Sequence, residues 1–234
     1  INPKNQNTWL STTPDRNSRM ITQLSDPVRL YNRSWCAHVA TVDNVALVPF
    51  CRRIFNYSYS LGGRYYGGEY LTLPKAQRAK ILIDCESTLE PDFTALHIAI
   101  LYAWEGVQLQ DDPYITENID RSVIKGLMLR LLNFANTADF KRCVTRSSSI
   151  DTKATYAAYK GQLIAYQSGV TSTPPIRPKM LEGFIEGVPD GLTGQQVYDA
   201  IIARHPTIAH YFGSEHLGLR LQHTDSQIMS GIIT

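Results

Sequence analysis

Asp92-Phe93-Thr94-Ala95-Leu96-His97-Ile98-Ala99-Ile100-Leu101-Tyr102-Ala103-Trp104 is the stretch on which the reading of this chain turns. Leu96, Ala99, Ile100 and Ala103 fall at i, i+3, i+4 and i+7, the spacing of one helical face. Upstream, Lys80 to Asp84 reads as a short buried strand and Thr88 to Phe93 as a second. An aspartate that leaves a strand, with a helix packed behind it, is rigidly placed. Such a carboxylate suits Mg²⁺, a hard cation that prefers oxygen ligands and keeps several waters. The Phe93 carbonyl is a second donor. The position also suits a helix N-cap, and spacing alone favours the cap.

Working outward, Asp120 is placed to cap a helix running from Arg121 to about Asn133. Ile124, Leu127, Met128, Leu131 and Leu132 give that helix its apolar face. Arg121 and Lys125, four apart, emerge together on the other side. Two cations one turn apart can clamp a polyphosphate, Arg as a fork and Lys as a point charge. The same pair also suits a solvated helix face. Further helices are expected over residues 153–167, 195–204 and 219–233. Residues 171–178, with three prolines, read as a linker. Residues 1–35 read as loops with short helices, and residues 36–50 as a strand pair or a short helix. Gly62-Gly63 and Gly67-Gly68 mark a turn-rich segment. The pattern is mixed α/β.

Of the 234 residues, 43% are apolar and 19% charged, with a net charge of +2. That excludes a disordered chain and an overall polybasic one. No apolar run approaches the ~18 residues of a membrane span, and the start is not a signal peptide. A cytoplasmic location and no membrane partner are expected. Cys36, Cys51, Cys85 and Cys143 form no Cys-x-x-Cys pair, which argues against a zinc module and for reduced, mostly buried thiols. His38, His205, His210, His216 and His223 do not form a compact ligand set, and His223, Asp225 and Ser226 are too close in sequence to read as a nucleophilic triad.

The near-neutral total hides uneven charge. Residues 51–80 carry six Lys/Arg against Glu69, and residues 121–146 six against Asp139. Residues 181–200 carry four acids and no Lys or Arg. Basic blocks collect and release the counterions of a phosphate backbone. The first block interleaves Phe50, Phe55, Tyr57, Tyr59, Tyr65, Tyr66 and Tyr70 with its arginines. This suits stacking plus phosphate contact on nucleic acid, and it equally suits Tyr-rich strands over a core.

Taken in order, Gly63-Arg64, Leu73-Pro74 with Arg78, Asp92-Phe93-Thr94, Arg121-Ser-Val-Ile-Lys125 and Gln222-His-Thr-Asp-Ser-Gln-Ile228 resemble the family A DNA polymerases and the related single-subunit phage-type RNA polymerases. Asp92-Phe93-Thr94 is similar to motif A and Arg121 to Lys125 to motif B. The resemblance covers residues 50–234. It implies an α/β (α+β), mostly helical right-hand architecture, a palm with a helical fingers subdomain. Residues 1–60 would be an N-terminal, thumb-side or template-contacting segment. Residues 61–117 would be palm with motif A, 118–190 fingers with motif B, and 191–234 a return to the palm.

The resemblance implies two-metal nucleotidyl transfer. Asp92, Lys125 and Arg121 would be catalytic, with Asp92 and the Phe93 carbonyl holding two Mg²⁺ ions. Arg121, Lys125, His97, Asn133 and Phe93 would bind the nucleoside triphosphate. Arg64, Arg78, Gln222, Arg52 and Arg53 would contact template and primer. DNA synthesis ranks ahead of RNA synthesis. His97 and Asn133 replace the usual sugar gate, so the sugar preference does not carry over, although the two could hydrogen-bond each other. Motif C, a His-Asp pair that follows the last helix in the family, is not within the 234 residues. The expectation is therefore a polymerase fragment. The alternative is a non-catalytic nucleic-acid-binding protein of polymerase-like fold, and a third reading is an α/β domain that binds another protein.

Overall fold

The computed structural model describes residues 19–233. The part of the expected N-terminal segment that covers residues 1–18 lies outside the described residues. The chain is mixed α/β, about half helical, with small antiparallel sheets. It divides into two compact units, with boundaries between Asp92 and Phe93 and between Thr224 and Asp225. The expected palm segment, residues 61–117, is thus shared between them at Asp92.

In the first unit, α1 (Arg19–Ser34) is a helix where loops with short helices were expected. Residues 36–50 resolve to the strand-pair reading: β1 (Ala40–Val42) and β2 (Val45–Ala46) form a hairpin. Its two-residue loop, Asp43-Asn44, has φ of 47° and 64°. Positive φ at both positions gives the turn that matches strand twist, and Asp and Asn tolerate it better than most residues. β5 (Leu82–Ile83) and β6 (Glu86–Ser87) repeat the device through Asp84-Cys85, with φ of 51° and 70°. The four strands pair in the order β2-β1-β5-β6. The strand expected over 88–93 is absent, and that segment reaches Asp92 without regular structure.

A second sheet is the long ribbon of β3 (Arg52–Asn56) and β4 (Ser58–Tyr66). The supposedly turn-like Gly62-Gly63 lies inside it and is buried. Its register slips there, Ile54 facing Arg64 while Phe55 faces Gly62. A side chain at Gly63 would sit 2.6 Å from the Phe55 ring. These glycines therefore mark a bulge, not a loop. Between β6 and the ribbon in sequence, α2 (Lys75–Arg78) is a single turn.

The second unit is helical. It holds α3 (Leu96–Trp104), α4 (Arg121–Leu131), α5 (Thr137–Ser147), α6 (Ile150–Gln167) and α7 (Gly194–Arg204). The last helix, α8 (Leu217–Ile233), gives residues up to Thr224 to this unit and the rest to the first. The core contains Ile98 and Leu101, the expected Ile124, Leu127, Met128 and Leu131, and Phe140, Val144, Val197 and Ile201. Each fully buried side chain of this size contributes about 1.5–3 kcal/mol. Helix α5 was not expected. Asn136 caps it by accepting the Asp139 N–H at 2.8 Å, and Phe140, Val144 and Ser147 form its buried stripe.

α5 and α7 pack tightly because α7 begins with glycine. A Cβ at Gly194 would collide with the backbone of Lys141, which has nowhere to move. Gly194→Ala is expected to destabilise the protein by about 3 kcal/mol. Gly161→Ala, inside α6 with open space around it, is expected to stabilise by about 1 kcal/mol through helix propensity. Denaturant unfolding of the two variants measures both. Equal effects would mean that the α5–α7 contact is not close.

Candidate functional site

Helix α4 starts as its sequence dictates. The Asp120 carboxylate accepts the Ser122 N–H at 2.7 Å. The first turn then presents Arg121 and Lys125 to solvent on one face. Both cations lie over the ring of Tyr114, the Arg121 guanidinium 5.5 Å and the Lys125 ammonium 6.0 Å from its centre. Arg121 also donates to Asp112 at 2.6 Å. Among the described residues no carboxylate pairs with Lys125. Asp112 is held below the usual carboxylate range, first by the Tyr114 N–H it accepts at 2.9 Å and then by Arg121.

The loop that supplies Asp112 and Tyr114 is pinned from two helices. The Arg204 guanidinium donates to the Asp112 carbonyl at 3.0 Å. The buried His205 ring, at the end of α7, has Nε2 2.7 Å from the Pro113 carbonyl and Nδ1 3.0 Å from the Tyr102 hydroxyl of α3. A carbonyl only accepts, so Nε2 carries the proton. The neutral ring then accepts from Tyr102 at Nδ1. Burial pushes the His205 pKa down, and the neighbouring Arg204 charge adds to that; the Pro113 bond opposes it.

Asp92 is exposed, and it is not a cap. The residue at the N-cap of α3 is Ala95, with no side-chain bond to the helix. Ala95 has φ of 52°, a left-handed conformation costly for an L-residue with a Cβ. The cap reading of Asp92 is thereby overturned. No hydrogen bond or ion pair engages its carboxylate among the described residues. Phe93 is 49% exposed. Among the described residues no group of three or more His, Cys, Asp or Glu is placed to hold a metal ion. One carboxylate with a backbone carbonyl fits a Mg²⁺ completed by waters and substrate phosphates. That donor set does not fit a pair of ions.

The expected nucleic-acid contacts divide. Arg52 is exposed on the ribbon. Arg53 is half-buried, donates to the Gly63 carbonyl at 2.7 Å and to Ser226 at 2.8 Å, and lies over Phe55 and Tyr65. Burial pushes its pKa down. Arg64 donates to Asp225 at 2.8 Å, and Tyr65 meets Ser230 at 2.6 Å. The ribbon thus packs on the part of α8 within the first unit, beside a cleft of about 280 Å³ lined by Arg64, Tyr65, Tyr70 and Asp225 among others. The Tyr70 hydroxyl, half-buried and 2.6 Å from that of Tyr31, has its pKa pushed up, first by burial and then by that contact. Arg78 donates to Glu90 and to the Leu73 carbonyl, both at 2.8 Å. Tyr57, at the ribbon tip, is 85% exposed. Gln222 is half-buried in α8.

In the second unit, His97 is half-buried on α3. Asn133 donates to the Leu129 carbonyl at 2.7 Å, back onto its own helix, so it does not pair with His97. The four cysteines are free, but only Cys51 is buried, while Cys36 and Cys85 are exposed. Sequence reasoning read Asp111-Asp112-Pro113 as a turn and His205 as one of a scattered set of histidines, and gave Tyr114 no role. Asp-Asp-Pro-Tyr is a pattern in which an Asp accepts the N–H two residues on, and that was the available signal.

Since folded His205 binds its proton below the ordinary value of 6.5, the unfolded chain protonates first on acidification. Its contribution is complete above that pH and is lost as pH falls from 6.5 toward the lower folded value. Thermal unfolding from pH 8 to 5 is expected to show this loss in the wild type and a flatter profile in His205→Gln. Identical slopes would show that His205 is not held neutral. No protein-family model matches the chain, and no curated protein or solved structure is recognisably similar to it.

Proposed function

We propose that this chain works in template-directed nucleic acid polymerisation of the family A type, DNA synthesis ranking ahead of RNA synthesis. The observation that carries the reading is the Arg121–Lys125 pair, set over Tyr114 at the start of a capped helix and preceded in sequence by an uncommitted Asp92. In this reading Lys125 and Arg121 grip the triphosphate tail of an incoming nucleotide. Charge that develops on the transferring phosphoryl group is best stabilised by cations already in place. Lys125 is available at once. Arg121 is shared with Asp112, so a polyphosphate competes with that carboxylate for the guanidinium. Tyr114 fixes the lateral position of both cations.

Asp92 and the Phe93 carbonyl are the residues that would hold Mg²⁺. The ion would supply charge neutralisation for nucleotidyl transfer to a primer 3′-hydroxyl, with pyrophosphate leaving. The left-handed Ala95 supports a functional turn, since strain of this sort gathers at functional sites. The aromatic, basic β3–β4 ribbon supports a template or primer partner, with Arg52 and Tyr57 as its accessible groups. Arg53, Arg64 and Arg78 shape the ribbon and its surroundings through internal bonds and act on nucleic acid less directly than Arg52.

A second reading, a nucleic-acid-binding protein without catalysis, is favoured by one observation. Among the described residues no group of three or more His, Cys, Asp or Glu is placed to hold a metal ion, whereas two-metal transfer draws on several such ligands. Primer extension by the full-length protein with Mg²⁺ and each nucleotide set decides between the two. The polymerase reading expects labelled product, lost by at least a hundredfold in Asp92→Ala with primer–template affinity kept within threefold. It also expects Lys125→Ala to weaken triphosphate use about tenfold more than template binding. Extension that survives Asp92→Ala removes the metal role, and tight template binding without any extension favours the second reading.

A further inference from the structure

The second basic block of the sequence does not end at α4. Lys141, Arg142, Thr145 and Arg146 line one wall of an open cleft of about 490 Å³, and Thr193 and Gln195 at the start of α7 line the other. Three of its six lining residues are cations and none is acidic. The volume lies within the ~300–1,000 Å³ of ordinary ligand sites.

Two of the cleft's three cations, Lys141 and Arg146, have no carboxylate partner among the described residues. Arg142 pairs with Asp139. The Lys141 ammonium faces only the Tyr198 ring, at 4.1 Å, and Arg146 donates only to the Glu182 carbonyl, at 3.3 Å. Of the four acids of residues 181–200, Glu186 and Asp190 are engaged with α6, Asp199 is bonded to the cleft's own Gln195, and Glu182 adjoins Arg146 through its carbonyl. Glu186 accepts from Lys160 at 2.7 Å and from Tyr156 at 2.9 Å. Asp190 pairs with Lys153. Asp199 accepts the Gln195 amide at 2.8 Å. Half of the acidic run therefore serves as counter-charge for α6, and α5 carries Lys141, Arg142 and Arg146 against Asp139. The close packing at Gly194 makes the cleft a fixed shape, with the positive end of α7 facing the cations.

We propose that this cleft binds the phosphodiester backbone of a nucleic-acid strand, separately from the α4 face. The three cations are spread over residues 141–146, about 7.5 Å along the helix axis. That length matches about two nucleotides at a ~3.4 Å rise per strand residue, and so suits successive phosphates better than one isolated anion. The Thr145, Thr193 and Gln195 side chains are each engaged within the protein, which leaves the cations to meet phosphates, and phosphate contacts carry no sequence information. The inference rests on the proposed nucleic-acid partner and not on nucleotide transfer.

Fluorescence anisotropy of a labelled 16-nucleotide mixed-sequence DNA strand, over a range of salt concentrations, tests it. Compared with wild type, Lys141→Gln/Arg146→Gln is expected to weaken binding about tenfold at low salt. The logarithmic salt slope is expected to become shallower by about 1.4, two contacts at ~0.7 each for a single strand. Arg146→Gln alone, which removes only one bond to a carbonyl, is expected to give about half that slope change and covers the event that the double variant does not fold. Unchanged affinity and slope in folded variants would overturn the inference, and a loss of binding in Arg52→Gln measured alongside would leave the nucleic-acid reading intact. No binding by wild type would overturn both. A loss confined to inorganic phosphate, measured in parallel by competition, would make the cleft an anion site and overturn the strand proposal.

Discussion

In the second unit, one neutral imidazole joins three pieces of chain that are far apart in sequence. His205 receives a proton in a hydrogen bond from Tyr102 and gives one to the Pro113 carbonyl. Because the ring is buried, each of these bonds is made in a place where an unpaired polar group would cost about 1–3 kcal/mol. The Pro113 bond, with Arg204 on the neighbouring carbonyl, fixes the turn from Asp112 to Tyr114. That turn in turn sets the ring and the carboxylate against which Arg121 and Lys125 are arranged. The cationic face of α4 therefore owes its form to a histidine that touches neither cation.

The distribution of charge follows a related logic. Of the acidic residues between 182 and 199, Glu186 and Asp190 are occupied by Lys160, Tyr156 and Lys153 of α6, and Asp199 accepts a Gln195 amide within α7. Positive charge on α4 and α5 is then left to face outward in two places, with Asp112 and Asp139 each tempering one arginine. In the first unit the arginines of the ribbon behave differently. Arg53 and Arg64 are drawn into bonds with Ser226 and Asp225, so that block is as much a packing device as a charged surface.

Much of this was legible in the sequence where one local rule was enough. The 3.6-residue spacing of Ile124, Leu127, Met128 and Leu131 gave α4, and Asp120 its cap. Leu96 to Trp104 was found as a helix, but not its face: Ile98 and Leu101 are buried, while Ala103, read as part of the apolar face, is exposed. Failures came where distant parts of the chain decide. Phe140, Val144 and Ser147 make a narrow stripe among charged residues, so α5 is visible only once α7 is packed on it. Gly62 and Gly63 look like a turn because a bulge and a loop use the same residue. The Asp92 cap failed because Ala95 takes a left-handed conformation that alanine rarely adopts. The role of Asp112 depends on Arg204 and His205, about ninety positions away, which no local spacing could announce.

The central claim is that the tail of a nucleoside triphosphate lies on the α4 face beside Tyr114. Photolabelling with a deoxynucleoside triphosphate that carries its reactive group on the γ-phosphate, followed by peptide mapping, reads that position directly. The account expects label on peptides spanning residues 112–130, protected by excess unmodified triphosphate. Label that maps only to other peptides, or that excess triphosphate does not suppress, would contradict it.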